Sequence, residues 1–313
     1  MKFPSKFKMF FVLAVCFLIA PKVAMPCACG CGVFDVGTSS MLPSGSGGMA
    51  YLGYNYQDQN QNWNSTSKAT ADSNEDKEIQ THSVTLGLQY MFNRSWGIQA
   101  EAPYISRSFK AENDSGEVVS ADYSGLGDIR IRGMFTGFSE DLSIGVSLGL
   151  KLPTASHTQH SDLLDIDRDT QIGSGSTDIL VGAYYRRALT QGNHWSGFLQ
   201  AQWDQPVFSQ DGYTPGAEWD ESIGLHYNGL SLGSIRIKPV AQIIGSERAG
   251  DTGPSAASPV ASGYTRILLA PGIEFHFHPV KFYADIELPV YETVTGNQLV
   301  APALFKVSLS SMF

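Results

Sequence analysis

Cys27, Cys29 and Cys31 stand at every second position in "CACGCGVFDVGTSS". Three soft thiolates at this spacing, with only Ala28 and Gly30 between them, suit Cu(I) or another soft metal. In an oxidising compartment the same residues read as a disulfide with one spare thiol. Neighbouring C-x-C pairs close very small rings, so Cys27 with Cys31 is the easier bridge. There is no C-x-x-C-H, so covalent haem is not expected, and no other cofactor is called for. A lipid anchor wants a small residue before the cysteine, yet Val15 precedes Cys16 and Pro26 precedes Cys27.

Histidines offer weaker chemistry. His157, His160 and Ser161 share the polar stretch "SHTQHSD". A serine nucleophile needs a histidine base held by a third group, and a long loop is a poor place to hold one. "IGSGSTD" lacks the strand–turn–helix setting of a nucleophile elbow. His226 shares a strand face with Asp220 and Ser222, which is commonplace for a polar wall. His276 and His278 form an H-x-H that could begin a metal site, but no third ligand is adjacent. The chain is not expected to be an enzyme.

The elements around these residues decide where they act. Lys2, Lys6 and Lys8 precede the apolar run Met9 to Ala20, which is too short to span a bilayer and reads as an export signal. The expected divisions are 1–24 for the signal, 25–47 for a cysteine-bearing periplasmic segment and 48–313 for the folded domain. Cleavage after Ala24 is a compromise, because Lys22 fits the small-x-small rule poorly. It removes four lysines and no acids, so the net charge falls from −9 to −13 (−9 − 4 = −13). That acidity argues against nucleic acid as a partner.

After residue 48 the pattern has period two. In "LSIGVSLGLKL", Leu142, Ile144, Val146, Leu148, Leu150 and Leu152 share one face, and Ser143, Gly145, Ser147, Gly149 and Lys151 the other. About twelve such segments fall near 48–57, 79–92, 96–108, 124–137, 142–152, 177–189, 195–206, 217–227, 233–246, 263–277, 281–290 and 299–313. Their length matches the ~9–11 residues that cross a bilayer on a tilt. Short connections near 93–95, 139–142, 189–193, 228–232 and 278–280 alternate with long polar ones at 58–78, 109–123, 153–176, 207–216, 247–262 and 291–298. The fold class expected is all-β, a transmembrane antiparallel up-and-down barrel of about twelve strands in a Gram-negative outer membrane, both termini periplasmic.

The barrel follows from hydrogen bonding. Hydrocarbon excludes open sheet edges, so strands must close on themselves. Apolar faces then meet lipid. The other faces carry Glu101, Asp128, Arg130, Arg132, Lys151, Asp178, Arg186, Asp204, Asp220, Arg236, Lys238, Arg266, Glu274, Asp285, Glu287 and Lys306, which are expected to line the lumen. Tyr90, Trp96, Trp195, Trp219 and Tyr227 are expected near short turns, as an interfacial girdle. The last strand, "LFKVSLSSMF", ends on Phe313, a form of ending read by barrel-assembly machinery, although Ser311 departs from the usual aromatic or apolar residue.

Four motifs in order, "SGLGDIRIRGMF" (124–135), "GLKLPT" (149–154), "IGSGSTDILVGAYY" (172–185) and "IELPVYETVTGNQL" (286–299), resemble the outer-membrane "transporter" family linked by name to the MetA pathway of phenol degradation. The resemblance covers about residues 48–313. It implies a β-barrel that passes small compounds, hydrophobic or aromatic ones among them, across the outer membrane. It supplies no substrate residues and does not include the three cysteines. The alternative expectation is a barrel that docks a periplasmic redox or metal-binding partner through Cys27, Cys29 and Cys31.

Overall fold

The computed structural model describes residues 42–43, 45–70, 74–113, 115–162, 166–256 and 261–313. The export segment and Cys27, Cys29 and Cys31 lie outside the described residues.

Sixteen strands follow one another along the chain: β1 (Gly47–Gln59), β2 (Gln61–Ser65), β3 (Ser67–Lys68), β4 (Asp76–Met91), β5 (Trp96–Glu112), β6 (Val118–Leu126), β7 (Ile129–Phe135), β8 (Ile144–Leu152), β9 (Ser176–Ala188), β10 (Trp195–Ser209), β11 (Glu218–Tyr227), β12 (Leu230–Leu232), β13 (Ile235–Arg248), β14 (Tyr264–Phe277), β15 (Val280–Val300) and β16 (Leu304–Met312). All pairings are antiparallel, each barrel strand beside the next, and β1 pairs with both β4 and β16. The wall therefore closes. The segments β6 and β7 form one interrupted wall strand against β5, and β2, β3 and β12 are short extensions of hairpins. Setting those aside, the wall has twelve strands.

Closure leaves no edge to hydrogen-bond with water, as a hydrocarbon setting demands. Side chains then sort by parity. Along β8, Leu148 is 64% exposed on the outside, while Gly145, Ser147 and Gly149 turn in. Leu86, Leu88, Leu199, Ile223 and Ile243 continue that apolar outer band. The inner face is polar: Gln89, Ser222, Gln242, Ser308 and Ser310 are all buried.

Two connections and one girdle residue differ from the expectation. Most of the expected loop at 109–123 is strand, because β5 runs on to Glu112 and pairs with β6. The segment 291–298 is no loop: β15 continues to Val300, and its end is held by β2, which lies within the expected 58–78 loop. Polar composition marks these pieces as solvent-exposed, but cross-strand pairing gives them a partner all the same. Trp219 is the third correction. It sits at the long-loop end of β11 beside Trp203, opposite the end holding Tyr90, Trp96, Trp195 and Tyr227. The aromatics thus form two belts. In the short-turn belt the Trp195 and Tyr227 rings are 4.9 Å apart and those of Trp96 and Phe135 4.7 Å.

Candidate functional site in the barrel lumen

Midway along the lumen a polar belt joins neighbouring strands. Glu101 on β5 is buried and pairs with Arg132 on β7. Tyr51 on β1 donates its hydroxyl to Glu101, and Gln99 donates to Tyr51 at 2.8 Å and to Glu101 at 3.1 Å. Arg132 also reaches Gln202 on β10 at 3.1 Å. A buried carboxylate is tolerated when its lone pairs are filled this fully. A central cavity opens beside this belt, lined by Tyr51, Glu101, Arg132, Met134, Tyr184 and, from the chain just before β1, Leu42. The described residues that precede the first strand thus turn against the lumen wall, with Pro43 buried.

Toward the long loops the wall carries charge of both signs. Lys151 on β8 pairs with Asp178 on β9 and lies 3.8 Å from Asp204 on β10. Ser176 donates to Asp178 at 2.6 Å. Asp220 on β11 accepts from Ser246 on β13 at 2.6 Å. The Arg266 guanidinium stands 4.5 Å from the Tyr264 ring, and Tyr264 donates to Glu218 at 2.6 Å. Arg130 faces a second cavity together with Lys151, Asp178 and Asp204.

The loop between β8 and β9 folds inward over this region. Inward-pointing Arg107 donates to the carbonyls of Thr170 and, at 3.2 Å, Gln171. Tyr123 donates to Thr170 at 2.8 Å. Asp128, in the break between β6 and β7, accepts from the backbone of Ala155 at 3.1 Å and of Ser174 at 2.9 Å. The loop is therefore latched to wall residues on both sides. At its tip Arg168 lies 4.8 Å from the Tyr213 ring. Both carboxylate oxygens of Asp169 are shut off from solvent without a hydrogen-bond partner among the described residues. Burial, with Asp167 and Asp251 near by, pushes that carboxyl well above its ordinary range.

At the short-turn end, Glu274 on β14 receives His276 and lies 3.4 Å from Lys238 on β13. Further in, Lys306 on β16 pairs with Glu287 on β15 at 3.0 Å, and Asp285 accepts from Tyr283 and from Gln242. Arg186 and Arg236 keep the inward parity of their strands close to the mouth. Between mouth and belt, Phe198, Val240 and Tyr283 meet as a small apolar cluster contributed by β10, β13 and β15.

Among the described residues the candidate histidines His157 and His276 are not brought together. His157 pairs with Asp211 at 2.7 Å on the loop surface. His276 turns to Glu274, while His278 lies past the end of β14, exposed in the turn. Among the described residues no group of three or more His, Cys, Asp or Glu is arranged to hold a metal ion. The sequence reasoning missed Tyr51, Gln99, Arg107, Gln202 and Lys281. Arg107 had a signal, since it shares the parity of Glu101 on the same strand. The inward fold of the β8–β9 loop had none, because a latch built on backbone carbonyls leaves no residue pattern.

A closed antiparallel barrel with an apolar outside, two aromatic belts and a polar inside is the architecture of outer-membrane β-barrel proteins. No family model matches the chain, and no curated protein matches it. Among solved structures it is similar to the COG4313 outer membrane channel from Pseudomonas putida F1, with a TM-score of 0.63 and 12% identity, over 90% of this chain and 100% of that one. It is also similar to the β domain of the Bordetella autotransporter BrkA, with a TM-score of 0.51 and 12% identity, over 86% and 100%. At that identity the likeness is one of fold, and the fold is the one that the resemblance of its motifs implied.

Proposed function

We propose that the protein is an outer-membrane channel that passes small solutes, apolar and aromatic ones among them, and that it performs no chemistry on them. One observation carries this reading: a polar wall with cavities along it runs inside a barrel whose outer band is apolar. Glu101, Arg132, Lys151, Asp178, Asp204 and the other charged wall residues then line the route, and Tyr51, Met134 and Tyr184 offer surface to an apolar body. Mixed charge held in pairs adds polarity without a strong net field, which suits solutes that are not highly charged. The short-turn end, with both termini, faces the periplasm in this reading, and the strand ending on Phe313 carries the assembly signal. Purified full-length protein in a planar bilayer tests it. Discrete current steps, with uptake of small phenolic solutes into liposomes, are expected. Absence of both from folded, heat-modifiable protein would sink the channel.

A further inference from the structure

We infer that the short-turn mouth of the lumen is a binding site for small organic anions, a carboxylate on a flat apolar body fitting it best. This rests on the channel reading above.

The inner wall within a few residues of the short turns is crowded with cations from different strands. Arg186 lies near the end of β9, Arg236 and Lys238 at the start of β13, and Lys281 at the start of β15. Lys281 is within Coulombic reach of all three, including Arg186, from which β10, β11, β13 and β14 separate it along the wall. The charges therefore converge across the opening. Against these four cations the carboxylate that faces Lys281 is Glu274, which also holds His276 and Lys238. His226 faces the same group. In the turns, Asp141 stands near Tyr184 and Arg186 on the other side of the barrel.

Deeper in the lumen several charges come as close pairs of opposite sign: Glu101 with Arg132, Lys151 with Asp178, Glu287 with Lys306. The mouth instead gathers four cations, in a chain whose net charge is −9. Like charges held together in a low-dielectric funnel raise the local concentration of anions. The mouth is also wet: Arg236 is exposed, and Lys238, Lys281 and Arg186 are partly so.

The next layer in selects the body of the ligand. Phe198, Val240 and Tyr283 form an apolar cluster just inside the cations, and the Phe198 ring lies 5.0 Å from that of His226. An anion seated among Lys238, Lys281 and Arg236 would lay its apolar part against these rings. Inorganic anions gain the charge but not the contact.

The test uses full-length protein and the triple variant Arg236→Gln/Lys238→Gln/Lys281→Gln, both checked for heat-modifiable migration. Reversal potentials in a KCl gradient should show anion preference in the parent and its loss or inversion in the variant. Benzoate binding to the detergent-solubilised proteins is titrated separately, with cyclohexylammonium as the apolar cation control. The parent should bind benzoate about tenfold more tightly than the variant and bind the cation no better than the variant does. A parent without anion preference, or benzoate affinity unchanged in the variant, overturns the inference. Absence of current with benzoate discrimination intact would count against the channel alone, because the binding arm reads the mouth directly.

Discussion

The ring of Tyr51 covers Gly87 on the neighbouring strand. A Cβ added at Gly87 would sit 1.9 Å from Tyr51 Cζ, so only glycine allows the ring to lie there. From that position the hydroxyl reaches Glu101. Substituting Gly87→Ala should push the ring into the lumen, break its bonds to Glu101 and Gln99, and lower stability by about 2 kcal/mol. Gly53 is the control on the same inner face, since its nearest neighbour is 3.9 Å away and Gly53→Ala should be nearly silent. Thermal loss of heat-modifiable migration reads both. Equal midpoints for the two variants would remove the ring–glycine contact from the account of the belt.

Glu101 and Arg132 are each almost fully buried, so their charges depend on one another. Removing one leaves the other unpaired in a poor solvent, which costs about 3 kcal/mol, whereas removing both leaves a smaller defect. Arg132→Met should therefore be less stable than the double variant Glu101→Leu/Arg132→Met. Unfolding midpoints in denaturant, measured in one detergent, check the order. The reverse order would mean that water already reaches the pair.

How much of this was readable from the residues depends on the kind of signal. Ile144 to Leu152 announces a barrel strand because a two-sided wall imposes period two on its residues, and about twelve such stretches match the strand count, whereas Leu142, expected on the same outer face, is buried in the turn before β8. Glu101, Arg132 and Lys306 follow by parity alone. Tyr51 was illegible as a partner of Glu101, since partnership across β1, β4 and β5 depends on register, which the alternation does not state. The β15 extension past Pro289 was hidden by its polar composition, and the register shift beside it exchanges which parity faces in: Glu287 and then Glu292 are both buried.

The inward loop should respond to pH through Asp169. Its carboxyl sits above the ordinary value near 3.8, through burial first and then through Asp167 and Asp251, with Asp76 adding to the same effect and Arg248 opposing it. The proton is therefore held more tightly when the loop is docked than when it swings free. Docking is strongest below the ordinary value and weakens as pH rises toward the raised one, because the freed loop gains by ionising. Single-channel records at stepped pH should show briefer and rarer closures as pH rises, and Asp169→Asn should abolish the trend while keeping the loop docked. A pH response that persists in Asp169→Asn would assign it to another group.

The depth of the membrane can be located with two leucines. Leu148 stands in the middle of β8 on the outer face, 64% exposed, within the band flanked by the two aromatic belts. Leu232 is 71% exposed but lies in β12, the hairpin extension at the short-turn end. Exposure to solvent alone treats the two nearly alike. A lipid setting does not, because arginine at the midplane of a barrel costs about 2–4 kcal/mol and near the interface about 0–1 kcal/mol. Leu148→Arg should therefore fold poorly into bilayers of phosphatidylcholine, while Leu232→Arg folds like the parent. Folding yield read as the heat-modifiable band separates the cases. If both arginines fold equally well, the apolar band around Leu148 does not meet hydrocarbon, and the boundary set by Trp203 and Trp219 at one end and Trp96 and Trp195 at the other must be moved.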